Sequence, residues 1–308
     1  MRRAFAEELE KMMEEGNTFL LTGDLGFSVF EGIKKRFRKQ YINMGVAEQN
    51  MLGVAAGMAL AGKQAFVYSI IPFIVFRPFE QLRNDICFQN VPVRLVGVGA
   101  GFSYSDAGFT HHAIEDYGLL NSLPNLTILS PADPLEVSEQ MKQIDKIKGP
   151  AYMRLSRNGE PVLHSNHKEL KIGKALEISQ GDDILFLATG TILGKAIKIA
   201  NLLGKDGYSV SILNYHTIKP FDEESLLKNS ANKVLLVTFE EHLIKTGLYS
   251  MVAQSLISNQ ISLKVLKFGI SEPYTEVSGT RDYMLSRYGL NDQEIYKKIK
   301  MALEEGKL

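Results

Sequence analysis

Between residues 2 and 155, five apolar runs of strand length at 18–22, 65–69, 93–98, 126–129 and 151–155 alternate with helical patterns at 2–15, 47–61, 73–88, 113–123 and 134–147. A repeated strand–helix order builds a parallel sheet, because each parallel neighbour is reached through a crossover long enough to hold a helix. Helices then cover both faces, and the strands read as short apolar runs. Residues 156–169 break the pattern: they are polar, include Gly159, Pro161, His164 and His167, and read as an exposed linker. The alternation then restarts, with strands at 184–188, 209–213, 234–239 and 263–268 and helices at 194–203, 246–258 and 292–304. The fold expected is α/β, two doubly wound parallel-sheet domains of similar size, residues 1–164 and 165–308.

Composition excludes several function classes. Lys plus Arg and Asp plus Glu both number 35, so no basic excess advertises nucleic acid or a membrane surface. The one cysteine, Cys87, rules out an internal disulfide and a multi-cysteine metal site, and it fits a reducing cytoplasm. There is no signal-peptide pattern and no run of about 18 apolar residues. Residues 2–15 read as a charged amphipathic helix rather than a targeting segment.

The helix at 47–61 departs from amphipathic patterning. From Met51 to Leu60 it is apolar on every side, with Gly53 and Gly57 the only relief. Such a helix is buried. The two glycines, four apart, leave a flat face for close backbone approach, and one domain's sheet covers only part of the surface. A two-fold contact with a second copy is the expected cover. Glu48 enters the first turn, where the helix dipole favours its charge. A glutamate at a helix start is more often a cap or a solvated group. One that leads into buried apolar surface needs a dedicated partner, which makes it a candidate for chemistry.

Asn43-Met-Gly-Val-Ala-Glu48-Gln-Asn-Met-Leu-Gly-Val-Ala-Ala-Gly57 resembles the pyrimidine-domain motif of transketolase. The segments Phe73…Arg77-Pro-Phe-Glu-Gln-Leu-Arg83, Thr110-His111-His112-Ala-Ile-Glu115-Asp116 and Ser130-Pro-Ala-Asp133 are similar to that family in the same order. The likeness spans essentially the whole chain but corresponds to the C-terminal half of a full-length transketolase: a pyrimidine-binding domain followed by the family's C-terminal domain. It implies thiamine diphosphate as cofactor. Glu48 matches the glutamate that hydrogen-bonds a ring nitrogen of the aminopyrimidine and favours its imino tautomer. The cofactor carries the hard chemistry and the protein tunes it. The resemblance points to Phe73 as the ring that stacks on the pyrimidine, with Phe76 or Ile74 as alternatives, and Arg77 belongs to the same cofactor-binding segment. Offset stacking contributes about 0.5–1.5 kcal/mol beyond burial.

Two adjacent histidines without a third ligand at a sensible spacing make a poor metal site; in a loop they suit hydroxyl recognition or proton transfer. By resemblance His111 is catalytic and contacts substrate, with His112 beside it. The family commonly has Asp-Gly-Pro-Thr-His where this chain has Ala107-Gly-Phe-Thr-His, so the usual acid is displaced, with Asp106 one residue early. Arg3, Ser28 and Arg157 match positions that contact a substrate phosphate, and a further family histidine falls at Gly99. Taken singly, an arginine is mostly a surface charge. The glycines at 97, 99 and 101 lack the strand–turn–helix frame of a dinucleotide fingerprint, so no nicotinamide site is read here.

Thiamine diphosphate enzymes hold the diphosphate and its divalent cation with Gly-Asp-Gly followed by asparagines. Gly23-Asp24-Leu25 and Gly181-Asp182-Asp183 both lack the second glycine. The resemblance therefore implies a split enzyme. A separate N-terminal subunit would hold the diphosphate and Mg2+, this chain would hold no metal, and two copies of each would form an α2β2 assembly with cofactors at the interfaces. The reaction implied is transfer of a two-carbon ketol unit between sugars or sugar phosphates. A 2-oxo acid dehydrogenase β-subunit shares the two-domain plan, and a deoxyxylulose-phosphate-synthase relative is a further alternative. Gly-Val-Ala-Glu-Gln-Asn-Met favours transketolase. A non-catalytic partner subunit is a third reading, and intact Glu48 argues against it.

Overall fold

The computed structural model describes residues 1–157, 159–272 and 277–305. Among these, the first six strands are β1 (Thr18–Thr22), β2 (Tyr41–Asn43), β3 (Gln64–Ile70), β4 (Arg94–Val98), β5 (Thr127–Leu129) and β6 (Ala151–Leu155). Six more follow: β7 (Leu176–Ser179), β8 (Ile184–Ala188), β9 (Val210–Asn214), β10 (Thr217–Lys219), β11 (Leu235–Leu243) and β12 (Val265–Ile270). They form two sheets, β10-β5-β6-β4-β3-β1-β2 and β12-β11-β8-β9-β7. Pairing is parallel throughout except at two edges, where β10 runs antiparallel to β5 and β7 antiparallel to β9. β4, β6 and β8 are buried at every position, as strands covered on both faces must be.

β10 crosses the division expected from the sequence. Its residues follow β9 of the second sheet, yet it pairs with β5 of the first, so the second half of the chain supplies an edge strand to the first half's sheet. Nor is the segment expected as an exposed linker free of the body. Leu163 N donates to Asp133 Oδ2 at 3.0 Å, and His164 Nε2 bonds Glu136 Oε1 at 2.7 Å. Asn158 of that segment lies outside the described residues.

The helix expected at 73–88 is broken. Pro72 lies in the first turn of a short helix, Ile71–Val75, and Pro78 precedes the next turn, Phe79–Gln81. Leu82–Phe88 then winds as a π-helix. Proline starts a helical turn readily, and inside one it removes a backbone donor. The helix at 113–123 is likewise shorter, Asp116–Asn121, because residues 109–115 belong to a loop.

Helix Glu48–Leu60 is covered in part by its own chain, as its all-round apolar pattern leads one to expect. Met51, Leu52, Ala55, Ala56 and Ala59 are buried against the first sheet, while Asn50, Gly53, Gly57 and Leu60 face outward. Within one chain the helix is covered on one side only. Leu60 is 64% exposed and nearby Val46 72%.

Candidate functional site

Loops at residues 23–30, 71–77 and 99–115 leave the carboxyl ends of the neighbouring strands β1, β3 and β4. That edge of a parallel sheet is where ligands bind. Glu48 is the first residue of its helix and only 2% exposed. Its Oε2 accepts from Arg77 Nη1 at 3.0 Å and its Oε1 from Ser69 Oγ at 3.3 Å. The carboxylate is thus partnered, as burial requires. Its cationic partner, however, keeps a side chain 45% exposed and free to yield to a ligand. A Cβ on Gly23 would stand 3.4 Å from Glu48 Oε1, so glycine there keeps the space beside the carboxylate open.

The Arg77 guanidinium lies over the Phe73 ring, 4.1 Å from its centroid, and Phe73 meets the His111 ring edge-on at 5.1 Å. Glu48, Arg77, Phe73 and His111 therefore form one connected set. Ile74 is fully buried in the core, and Phe76 is 38% exposed with no aromatic partner among the described residues. Of the three residues the sequence left open, Phe73 is the one in contact with this set.

His111 is half-buried, with Nδ1 3.0 Å from Thr110 Oγ1. His112 is placed differently. It is buried edge-on against Phe102 at 5.1 Å, its Nε2 lies 3.5 Å from Ser105 O, and its Nδ1 has no partner among the described residues. Burial holds its pKa below the ordinary histidine value. A buried ring with this contact braces the loop.

Arg3, Ser28 and Arg157, far apart in sequence, line one cavity of about 390 Å³ with Arg2 and Glu160. Arg2 Nε donates to Arg157 O, drawing the two segments together. Ser28 has φ +61°, an uncommon conformation for a residue with a side chain. Sequence reading missed Tyr104. The Arg157 guanidinium sits 4.9 Å from its ring centroid, and that ring meets His111 at 6.4 Å. Gly99 has φ +99°, and a Cβ there would overlap the Tyr104 ring. The tyrosine thus occupies space that a side chain at Gly99 would need. Only the unusual glycine signals it in sequence. Asp106 lies 3.5 Å from Arg157 Nη1 at the same rim.

Both Gly-Asp segments are committed elsewhere. Asp24 exchanges hydrogen bonds with Asn43 at 2.9 and 3.1 Å, and Asp183 accepts from Ser209 N and Oγ at 2.7 and 2.8 Å. Among the described residues, no group of three or more His, Cys, Asp or Glu could hold a metal ion.

Residues 1–160 match the transketolase pyrimidine binding domain and residues 173–295 the transketolase C-terminal domain. The chain belongs to the transketolase family. A putative transketolase C-terminal section of Methanocaldococcus jannaschii is 34% identical over 305 residues, 97% of this chain and 95% of that protein. The 6-deoxy-6-sulfo-D-fructose transketolase subunit SqwH of a Clostridium species is 34% identical over 267 residues, 85% of this chain and 82% of its own length. A solved split gene transketolase, described as an inactive beta4 tetramer, superimposes with a TM-score of 0.89 at 32% identity over 98% of both chains.

Proposed function

We propose that this chain is the pyrimidine-binding, C-terminal subunit of a split transketolase-type transferase, moving a two-carbon ketol unit between sugars with thiamine diphosphate. The observation that carries the reading is the buried Glu48 carboxylate, partnered among the described residues by Ser69 and a half-exposed Arg77. This donor set fits an aminopyrimidine. Glu48 offers an acceptor oxygen, Gly23 leaves space beside it, and Phe73 offers a ring face beside Arg77. When bound, the cofactor supplies the nucleophilic carbon that takes up and hands on the ketol unit. Glu48 holds the ring nitrogen through a charge-assisted hydrogen bond. His111 faces the sugar hydroxyls and moves a proton there. Arg3, Ser28 and Arg157, in a single cavity, hold the far end of a phosphorylated or otherwise anionic sugar.

An N-terminal partner subunit holds the diphosphate and Mg2+. Relatives of matching length that are named as subunits or as a C-terminal section support this. The solved relative is described as an inactive tetramer of its beta chain, which supports self-association and the need for a partner. An α2β2 assembly follows, with the outward Gly53 and Gly57 face as the self-contact. The division into residues 1–164 and 165–308 falls in the strapped segment between the two matched domains. No helix among the described residues is long and apolar enough to cross a membrane. Cys87 is a buried free thiol, which suits a reducing cytoplasm.

The test is Glu48→Gln, assayed with partner, cofactor and Mg2+. Turnover should fall by about 100-fold or more, the scale of a lost acid–base group, with the melting temperature and partner binding kept. Near-wild-type turnover would refute the reading.

A further inference from the structure

The loop that carries His111 is gripped at both roots by the second domain. Gly101 and Ala113 bridge through paired backbone hydrogen bonds of 2.9 and 3.0 Å, closing residues 102–112 into a loop. At the first root, Phe102 N donates to Glu241 Oε1 at 2.7 Å, and the Phe102 ring stacks on Tyr288 with centroids 5.5 Å apart. At the second root, Leu243 N donates to Ile114 O at 2.9 Å and Tyr117 N donates to His242 Nε2 at 3.0 Å. Arg154 joins the two roots, its Nη2 donating to Ala113 O at 2.6 Å and to Glu241 O at 3.2 Å.

Three of these groups, Glu241, His242 and Leu243, are consecutive at the C-terminal end of β11, where its register with β12 shifts. Glu241 is itself fixed by Arg281, whose Nη2 also bonds Thr191 at 2.7 Å. Gly101 has φ +60°, and a Cβ there would overlap the Glu241 side chain. The fit leaves no slack. Displacement of Phe102 reaches His111 through His112, which packs edge-on against Phe102 at 5.1 Å.

We propose that the second domain acts as a clamp on the substrate loop, with Glu241 and His242 as positioning residues that work through His111. The proposal rests on the reading of His111 as the substrate-facing histidine. A charged acceptor on a buried N–H is a strong, directional tether, and misplacement of a reacting group by about 1 Å costs about 100-fold in rate.

The experiment combines hydrogen–deuterium exchange on the full chain with steady-state kinetics of the assembled enzyme, for Glu241→Ala, Glu241→Gln and His242→Gln. In Glu241→Ala, amides of residues 102–112 should exchange at least about tenfold faster while β3, β4 and β8 keep their protection. The value of kcat/KM should fall about 100-fold. Glu241→Gln retains an acceptor oxygen and should recover most of the loop's protection. Glu241→Ala added to His111→Ala should cost nothing further, because no positioned group remains. Unchanged exchange in 102–112, faster exchange spread equally over both sheets, or losses that multiply in the double variant would each overturn the clamp. The two readings separate cleanly. Wild-type turnover in His111→Ala refutes the substrate role of His111, whereas exchange in 102–112, measured without substrate or partner, judges the clamp alone.

Discussion

His111 and His112 share a backbone turn but not a task. His111 keeps a half-buried ring against Phe73 and Tyr104, whereas His112 is sealed beneath the loop against Phe102. His111→Ala should therefore lower the turnover of sugars while leaving cofactor affinity near wild type. His112→Ala leaves a ring-sized hole in the loop's support and should lower stability by about 2–3 kcal/mol, with a smaller loss of rate. Calorimetric cofactor titration beside steady-state kinetics checks both. A lost cofactor affinity with an unchanged rate in His111→Ala would mean the loop faces the cofactor. The sequence made Glu48 legible because a carboxyl ahead of an apolar helix is chemically conspicuous. Tyr104 was illegible because its place depends on a void at Gly99, 5 positions earlier, which only the folded backbone shows.

Elements were legible in proportion to how much of their own burial they carry. β1, β6 and β8 stand at the expected residues, since continuous apolar runs have no other stable place. β2, β7 and β10 are short edge strands, and none was readable from apolar content. The helix Glu48–Leu60 tests the assembly. Among the described residues, a Cβ at Gly53 or Gly57 would meet no atom within 4 Å beyond its own helix, so Gly57→Ala should stabilise the isolated chain by about 1 kcal/mol through helix propensity. The same methyl groups would hold apart any backbone that packs on this face, so Gly53→Leu should weaken self-association. Thermal melts and light scattering at micromolar concentration read the two effects separately. Unimpaired assembly in Gly53→Leu would place the self-contact elsewhere.

The segment leading into β10 carries a pH signature. His216 is buried, and that burial lowers its pKa from 6.5 to about 4. A base whose folded pKa is depressed contributes stability that is intact above 6.5 and is lost as pH falls toward 4. Its share is at most on the order of 3 kcal/mol. Denaturant titrations from pH 7 to 4.5 should therefore show a shallower decline in His216→Gln than in the wild type. Parallel curves would mean that His216 already titrates normally in the folded chain.

At the scale of the whole molecule, the chain is two sheets stitched together, and in the function proposed above it carries half of a cofactor site. After β9 of the second sheet the chain crosses to the first sheet as β10, and Arg154, Asp116 and His242 fill the seam with buried polar contacts. These contacts join the two halves of the chain. In that proposal Glu48 and Phe73 together grip only the pyrimidine end. A charge-assisted hydrogen bond contributes about 1.5–3 kcal/mol and stacking about 0.5–1.5. Before the cost of association, that sum reaches only the millimolar range. The isolated chain should accordingly bind thiamine diphosphate no tighter than about a millimolar, with no dependence on Mg2+. Adding the N-terminal subunit holds both ends of the cofactor at once, and affinity should rise by about 100-fold or more through the linked contacts. Isothermal titration of the chain with and without its partner, each with and without Mg2+, measures all four cases. Micromolar, Mg2+-dependent binding by this chain alone would show that the diphosphate site lies within it and would remove the need for a partner.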